Sequence, residues 1–348
     1  MLISFSTAAS RYYLSTQAMP IHISDLLERI PSDTKNVVDR TRTRFNSVVR
    51  QMLRQETGMR LAKARDVEKE DHEAHSIRVF VDVAFPIELQ NLRFDDDKRQ
   101  AILLAPWRSQ LKGLRDSSFE LRENLIGLLP TDFVCEGRFA GIGFKLHDVN
   151  SFAEELLKIA DQFNLVKELH CVNEDVLGRY QFSLKGGQTS ASAYLYWAVI
   201  GLVARSLGIS LEGLTVKVLV HELAHAYTHL GTDIDGHRWD DDAFKYADRA
   251  VKEGLAQYYT RQLLNRLRSR IPDAKQAYEA LLPHQPYEYQ VQEKWITEGA
   301  TPEHMRLAMV LFRRGRKTTL SDFESILNQA KKDLRTPARN YLVSDEDV

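Results

Sequence analysis

Cysteine is nearly missing from this sequence: Cys135 and Cys171 are the only two among 348 residues. That is too few for a disulfide framework, and without CxxC spacing it excludes a thiolate zinc ribbon. An excess of charge of one sign is also missing. Lys plus Arg (47) nearly equals Asp plus Glu (48), so no global field draws the chain to nucleic acid or to an anionic membrane. No apolar stretch reaches the ~20 residues that a membrane helix needs. The longest, Ala191 to Ala204 (ASAYLYWAVIGLVA), reads as a buried core helix. The N-terminus lacks a basic segment ahead of its weakly apolar stretch, which makes a poor secretory signal, so a cytoplasmic protein is expected. Repeats and low-complexity tracts are missing too.

What is present is an ordinary globular composition, 43% hydrophobic and 27% charged, long enough for two domains. Patterning begins only after Met19, and residues 1–20 are expected to be a loose leader extension. Residues 34–65 read as a basic helix carrying Lys35, Arg40, Arg42, Arg44, Arg50, Arg54, Arg60, Lys63 and Arg65, with the acidic DVEKEDHE directly after it. A solvated face answered by those acids is the simplest reading, and a nucleic-acid or protein-partner surface is the alternative. SIRVFVDVAF (76–85) alternates as a strand, with Ile77, Val79, Val81 and Val83 on one face. DFVCEG and FAGIGFKL are further strand candidates. Residues 21–150 are therefore expected to form an α+β unit of unassigned role. From Ser151 the pattern turns helical, interrupted by the strand candidate GRYQFSL (178–184). Residues 151–348 are expected to form a second, mainly helical unit, giving an α+β fold overall.

Chemistry concentrates in HELAH. His221 and His225 are four residues apart, so on a helix their imidazoles share one face about 6 Å apart along the axis. One metal ion can bridge them. Glu222 lies about 100° round from His221, off the ligand stripe yet within reach of a water at the metal. These groups interrupt an apolar helix of Val218, Leu219, Val220, Leu223 and Ala224. Burying three ionisable side chains is costly unless a metal compensates, whereas a satisfied core histidine, the bland alternative, would be needed twice beside a glutamate.

A catalytic zinc usually takes three protein ligands. His229 shares the stripe, but its eight-residue separation from His221 is about 12 Å of rise, too far for one ion. Glu253 on the next helix and His237 in the loop TDIDGHRWDDDAF both remain candidates. Tyr258 and Tyr259 read as core. Asp233, Asp235, Asp240, Asp241 and Asp242 read as starters or caps of the next helix, because DIDG is only a fragment of a calcium loop.

HELAHAYTHLG followed by VKEGLAQYYT resembles the gluzincin branch of the zincin metallopeptidases, whose pattern is HExxH and then a glutamate on a following helix. The resemblance covers about residues 211–267. It implies a zincin-like domain with Zn2+ held by His221, His225 and Glu253, Glu222 as general base, and a protein or peptide substrate. Such peptidases commonly take substrate as an added strand on a sheet edge, a role open to GRYQFSL. Many gluzincins carry an aspartate four residues after the glutamate, and here that position is Gln257. In this reading His237 becomes a candidate catalytic donor to the developing oxyanion, with an exposed loop residue as the bland reading.

HELAHAY with DGH also resembles the SprT-like proteases, in which that histidine, here His237, is the third ligand. That alternative implies a protease acting on DNA-bound proteins, tethered by the basic 34–65 helix. A non-catalytic zinc-binding interaction protein is the remaining alternative.

Overall fold

A computed structural model of the chain describes residues 21–61, 77–116, 146–172, 175–185 and 188–334. Two small sheets lie among helices. β1 (Ile21–His22) pairs antiparallel with β3 (Arg93–Phe94). β2 (Ile77–Phe80), β5 (Gln188–Leu195) and β4 (Gly178–Lys185) form a sheet in the order β2-β5-β4, with β2 parallel and β4 antiparallel to the central β5. Helices α1 (Thr34–Thr57), α2 (Asp96–Leu104), α3 (Arg108–Asp116), α4 (Leu146–Asp161) and α5 (Leu165–Val172) precede the β4-β5 hairpin. After it come α6 (Trp197–Leu207), α7 (Leu211–Leu230), α8 (Asp241–Tyr246), α9 (Arg249–Leu267), α10 (Pro272–Leu281), α11 (Val291–Thr297), α12 (Pro302–Arg314) and α13 (Leu320–Asp333). The fold is α+β and mainly helical. No helix among the described residues is long and apolar enough to cross a membrane.

α7 carries HELAH and lies at the centre. Ser210 caps it by accepting from the Gly213 amide, and every residue from Gly213 to His229 is buried. α1, α6, α9, α10, β4 and β5 pack around it. Gly231 ends it where an added Cβ would lie 2.3 Å from the Tyr227 carbonyl oxygen and 2.6 Å from Met59 Cβ. Burial of Leu214, Val216, Val218, Leu219, Val220 and Leu223 (each 0–1% exposed) contributes about 1.5–3 kcal/mol per side chain. That contribution offsets the cost of holding polar groups in the same helix.

Several expectations change. The apolar run at Ala191–Ala204 is not one helix, for Ala191, Ala193 and Leu195 point inward from β5 and the helix begins only at Trp197. The strand expected at 76–85 covers only Ile77–Phe80, because β5 ends soon after its Tyr194 pairs with Phe80, and Val83 is left exposed. α1 stops at Thr57, where Gly58 adopts the left-handed conformation (φ 71°), so the basic helix is shorter than 34–65. DFVCEG lies outside the described residues, as does FAGIGFKL up to Leu146, which opens α4. α8 and α9 are parted at Ala247–Asp248, where the Asp248 amide donates to the Thr318 carbonyl and its carboxylate accepts from Leu320 N. Strand pairing between β2 and β5 crosses the boundary expected at residue 150, and Val38 and Val49 of α1 share one buried cluster with Leu219 and Leu223. Sheet and core are therefore continuous there.

Candidate metal centre

Three ligand-type atoms converge between α7 and α9. His221 Nε2 lies 3.1 Å from Glu253 Oε2, His225 Nε2 lies 3.3 Å from the same oxygen, and the two imidazole nitrogens are 3.3 Å apart. Donors so spaced form one face of a tetrahedron with bonds of about 2.0 Å to a central ion, the length that imidazole nitrogen and carboxylate oxygen favour. All three residues are buried, and they make up the one group of histidine, cysteine or acidic side chains able to hold a metal among the described residues. The arrangement fits a metal better than it fits hydrogen bonding, because two imidazole nitrogens face each other at 3.3 Å beside one carboxylate oxygen.

The electrostatics agree. Burial, aided by the positive charge of Lys217, pushes His221 down to about 3, which leaves it a neutral donor. Burial works against charge on His225 and Glu253 as well. Even so, the neighbouring carboxylates hold His225 above its ordinary value, and the two histidines hold Glu253 well below the carboxylate range. The cluster favours positive charge, which the neighbouring carboxylates express by stabilising a proton on His225.

Glu222 is buried one residue from His221, outside the cluster of three. Burial raises its carboxyl to about 8. Gly178, the first residue of β4, lies against it: a Cβ there would come within 2.7 Å of Glu222 Oε1 and of Val218 Cγ1. Close approach of strand to helix at this point requires glycine.

An outer ring, invisible in the sequence, orients the triad. Tyr289 stacks on His221 (centroids 5.5 Å apart, 25° between planes), and its phenol donates to Asp175 Oδ1 at 3.2 Å. Arg249 reaches both Asp175 (3.4 Å) and the Tyr289 oxygen (3.2 Å), with its Nε 4.0 Å from Glu253 Oε1. On the other side Tyr180 of β4 stacks on His225 at 6.1 Å. Asp241 is acceptor-only, so His229 donates from Nε2 to Asp241 Oδ1 (3.0 Å), and its Nδ1 accepts from the Tyr180 hydroxyl (2.9 Å). Thr189 completes that chain by donating to Asp241 Oδ2 at 2.6 Å. His229 thus ties β4 to α7 and is not part of the triad, in line with its distance along the helix.

His237 is not brought to the centre. It is exposed in the loop, where its amide donates to Asp233 Oδ1 (2.9 Å) and its carbonyl accepts from Asp233 N (2.9 Å). Asp233 and Asp235 bind Arg314, and Asp240 caps α8. Tyr258 and Tyr259 are core residues. Gly254 lets α9 pack closely on α11, since an added Cβ would strike Trp295 and Val291 at 2.5 Å. Gln257 donates to Gln285 (2.9 Å) and not to a ligand histidine. In comparisons with known proteins, no family model, no curated protein and no solved structure matches this chain.

Proposed function

We propose that the chain is a zinc-dependent metallopeptidase of zincin-like build, with His221, His225 and Glu253 as ligands and Glu222 as general base. The observation that carries this reading is the mutual 3.1–3.3 Å spacing of the three donor atoms, with a separate buried carboxylate one residue from the first ligand. Zinc bound there supplies a polarised carbonyl and a water whose pKa falls toward neutrality. Glu222 takes the water's proton and delivers it to the leaving amine, a role suited to a carboxyl that burial has moved toward neutral pH. Arg249, Asp175 and Tyr289 keep His221 and Glu253 in place.

The edge of β4 is the strand on which a peptide would add. The Tyr196 amide donates to the Leu177 carbonyl at 3.0 Å, and Gly178 lies opposite Leu195. Antiparallel ladders alternate, so Gly178, Tyr180 and Phe182 turn their own N–H and C=O groups away from β5. No other strand pairs with β4 among the described residues. An extended substrate hydrogen-bonded there would begin beside Glu222.

The SprT-like alternative loses its third ligand, since His237 is exposed and outside the triad. A purely structural zinc site has no use for Glu222. The direct test is digestion of a proteome-derived peptide library by protein stripped of metal and then reloaded. Cleavage that disappears with chelator and returns with one equivalent of zinc supports the proposal; metal-independent cleavage, or none in any state, refutes it.

A further inference from the structure

One charged group near the centre has no task in this scheme. Lys217 precedes His221 by one turn on α7 and is only 2% exposed. It makes no hydrogen bond or ion pair with any described residue. Its charge is felt at the centre nonetheless, because Glu222 and Glu253 both act on it and it acts on His221 and on His170 of α5. At about 100° per residue, Lys217 lies about 60° to one side of the direction shared by His221 and His225, and Glu222 about 80° to the other. Glu222 faces β4 through Gly178. Lys217 acts on His170, whose ring lies 6.0 Å from that of Tyr289. The two groups therefore flank the ligands on opposite sides.

A buried ammonium without a partner is costly, and a methionine would fill the same space without that cost. Burial lowers Lys217 only to about 8, so at neutral pH it stays largely charged. In metal-free protein Glu222 keeps its proton at neutral pH and the Glu253 carboxylate answers that charge at a distance. Once a divalent cation occupies the triad that carboxylate answers the metal, and Lys217 is left as the unmatched positive charge.

We propose that Lys217 is a specificity-determining residue that pairs with a carboxylate of the substrate on the side of the metal away from β4. The inference rests on the peptidase reading of the same site and adds a substrate class, peptides with an anionic group next to the scissile bond. Two sources offer that chemistry, an Asp or Glu side chain and the terminal carboxylate of the chain.

The test compares wild type with Lys217→Met and Lys217→Glu, all zinc-loaded, on one peptide library with free and with amidated C-termini. Wild type is expected to favour bonds beside a carboxylate by at least about tenfold in kcat/KM, the ratio that a single charge pair at 1.4 kcal/mol provides. Lys217→Met should lose that preference and Lys217→Glu should turn it toward Lys and Arg. Preference that survives amidation assigns the side chain; preference that vanishes assigns the terminus. A second measurement separates recognition from structure: metal-free Lys217→Met should melt at a higher temperature than wild type and still take up one zinc. Unchanged cleavage preference in Lys217→Met overturns the proposal, as does a lower Tm with lost zinc. If wild type cleaves no peptide, the peptidase reading falls by itself, and calorimetric binding to the zinc-loaded protein decides Lys217. Wild type preferring N-acetylglutamate over N-acetylglutamine, with the preference gone in Lys217→Met, upholds it; equal binding overturns it.

Discussion

His221 Nε2 and Glu253 Oε2 lie 3.1 Å apart although 32 residues separate them in the chain. α7 and α9 pack side by side, and the loop and α8 between them fold back so that both residues face one point. That point is also faced by His225. A carboxylate aimed at two imidazole nitrogens in a buried setting is the feature on which the proposed chemistry stands.

The ligand assignment is checked by metal content. Glu253→Gln keeps the side-chain volume but removes the charge, and should weaken zinc binding by more than about 100-fold, beyond the range typical of groups that only orient ligands. His237→Ala and His229→Asn should each retain one zinc per chain. Zinc lost from His237→Ala and kept in Glu253→Gln would move the third ligand to the loop.

Metal affinity should depend on pH through His225. Its neighbouring carboxylates hold it above its ordinary value in the metal-free protein, so binding must displace a proton. Affinity should therefore fall about tenfold for each pH unit below that raised value and level off above it. Competition with a chelating dye across about pH 5.5 to 8.5 reads this directly. A flat profile would mean that no histidine proton is exchanged for the metal.

Metal-free stability should fall with rising pH because of Glu222. Burial lifts its carboxyl from 4.5 to about 8 in the folded state. The stability that follows from this shift is fully present below the unfolded value and is lost as pH rises through the folded one. Between those limits the slope approaches about 1.4 kcal/mol per pH unit. Glu222→Gln has no such proton to lose, so urea melts of the two apoproteins should separate in the variant's favour as pH rises from 5 to 8. Parallel melts at all pH values contradict the burial of an ionisable carboxyl.

Gly178→Ala should be felt at the centre as well as in the fold. The new Cβ would meet Glu222 Oε1 and Val218 Cγ1 at 2.7 Å, so strand or side chain must shift. A cost of about 1–3 kcal/mol is expected, with kcat reduced more than zinc content. Thermal melts, zinc analysis and peptide hydrolysis on one preparation separate the effects.

The parts of the centre legible in the sequence are those that a single helix or a short motif fixes. HELAH is readable because four-residue spacing alone places His221 and His225 on one face, and EGLA points to Glu253 by family resemblance. Lys217, one turn before His221, reads as an ordinary charged residue until its burial is known. Asp175 and Tyr180, Arg249, and Tyr289 come from three segments far apart in the chain, and only tertiary packing brings them together. The misread run at Ala191–Ala204 holds its own signal, alternation at Ala191, Ala193 and Leu195 before continuous apolar spacing begins, which overall hydrophobicity conceals.

The central claim is that Glu222 does the chemistry while the triad holds the metal, and Glu222→Gln tests both halves in one protein. Zinc-loaded Glu222→Gln should carry one zinc per chain with near wild-type affinity, and its kcat on a cleaved peptide should fall by about 10²–10⁴-fold, the usual contribution of a general base. Zinc retained together with wild-type turnover would contradict the assigned mechanism.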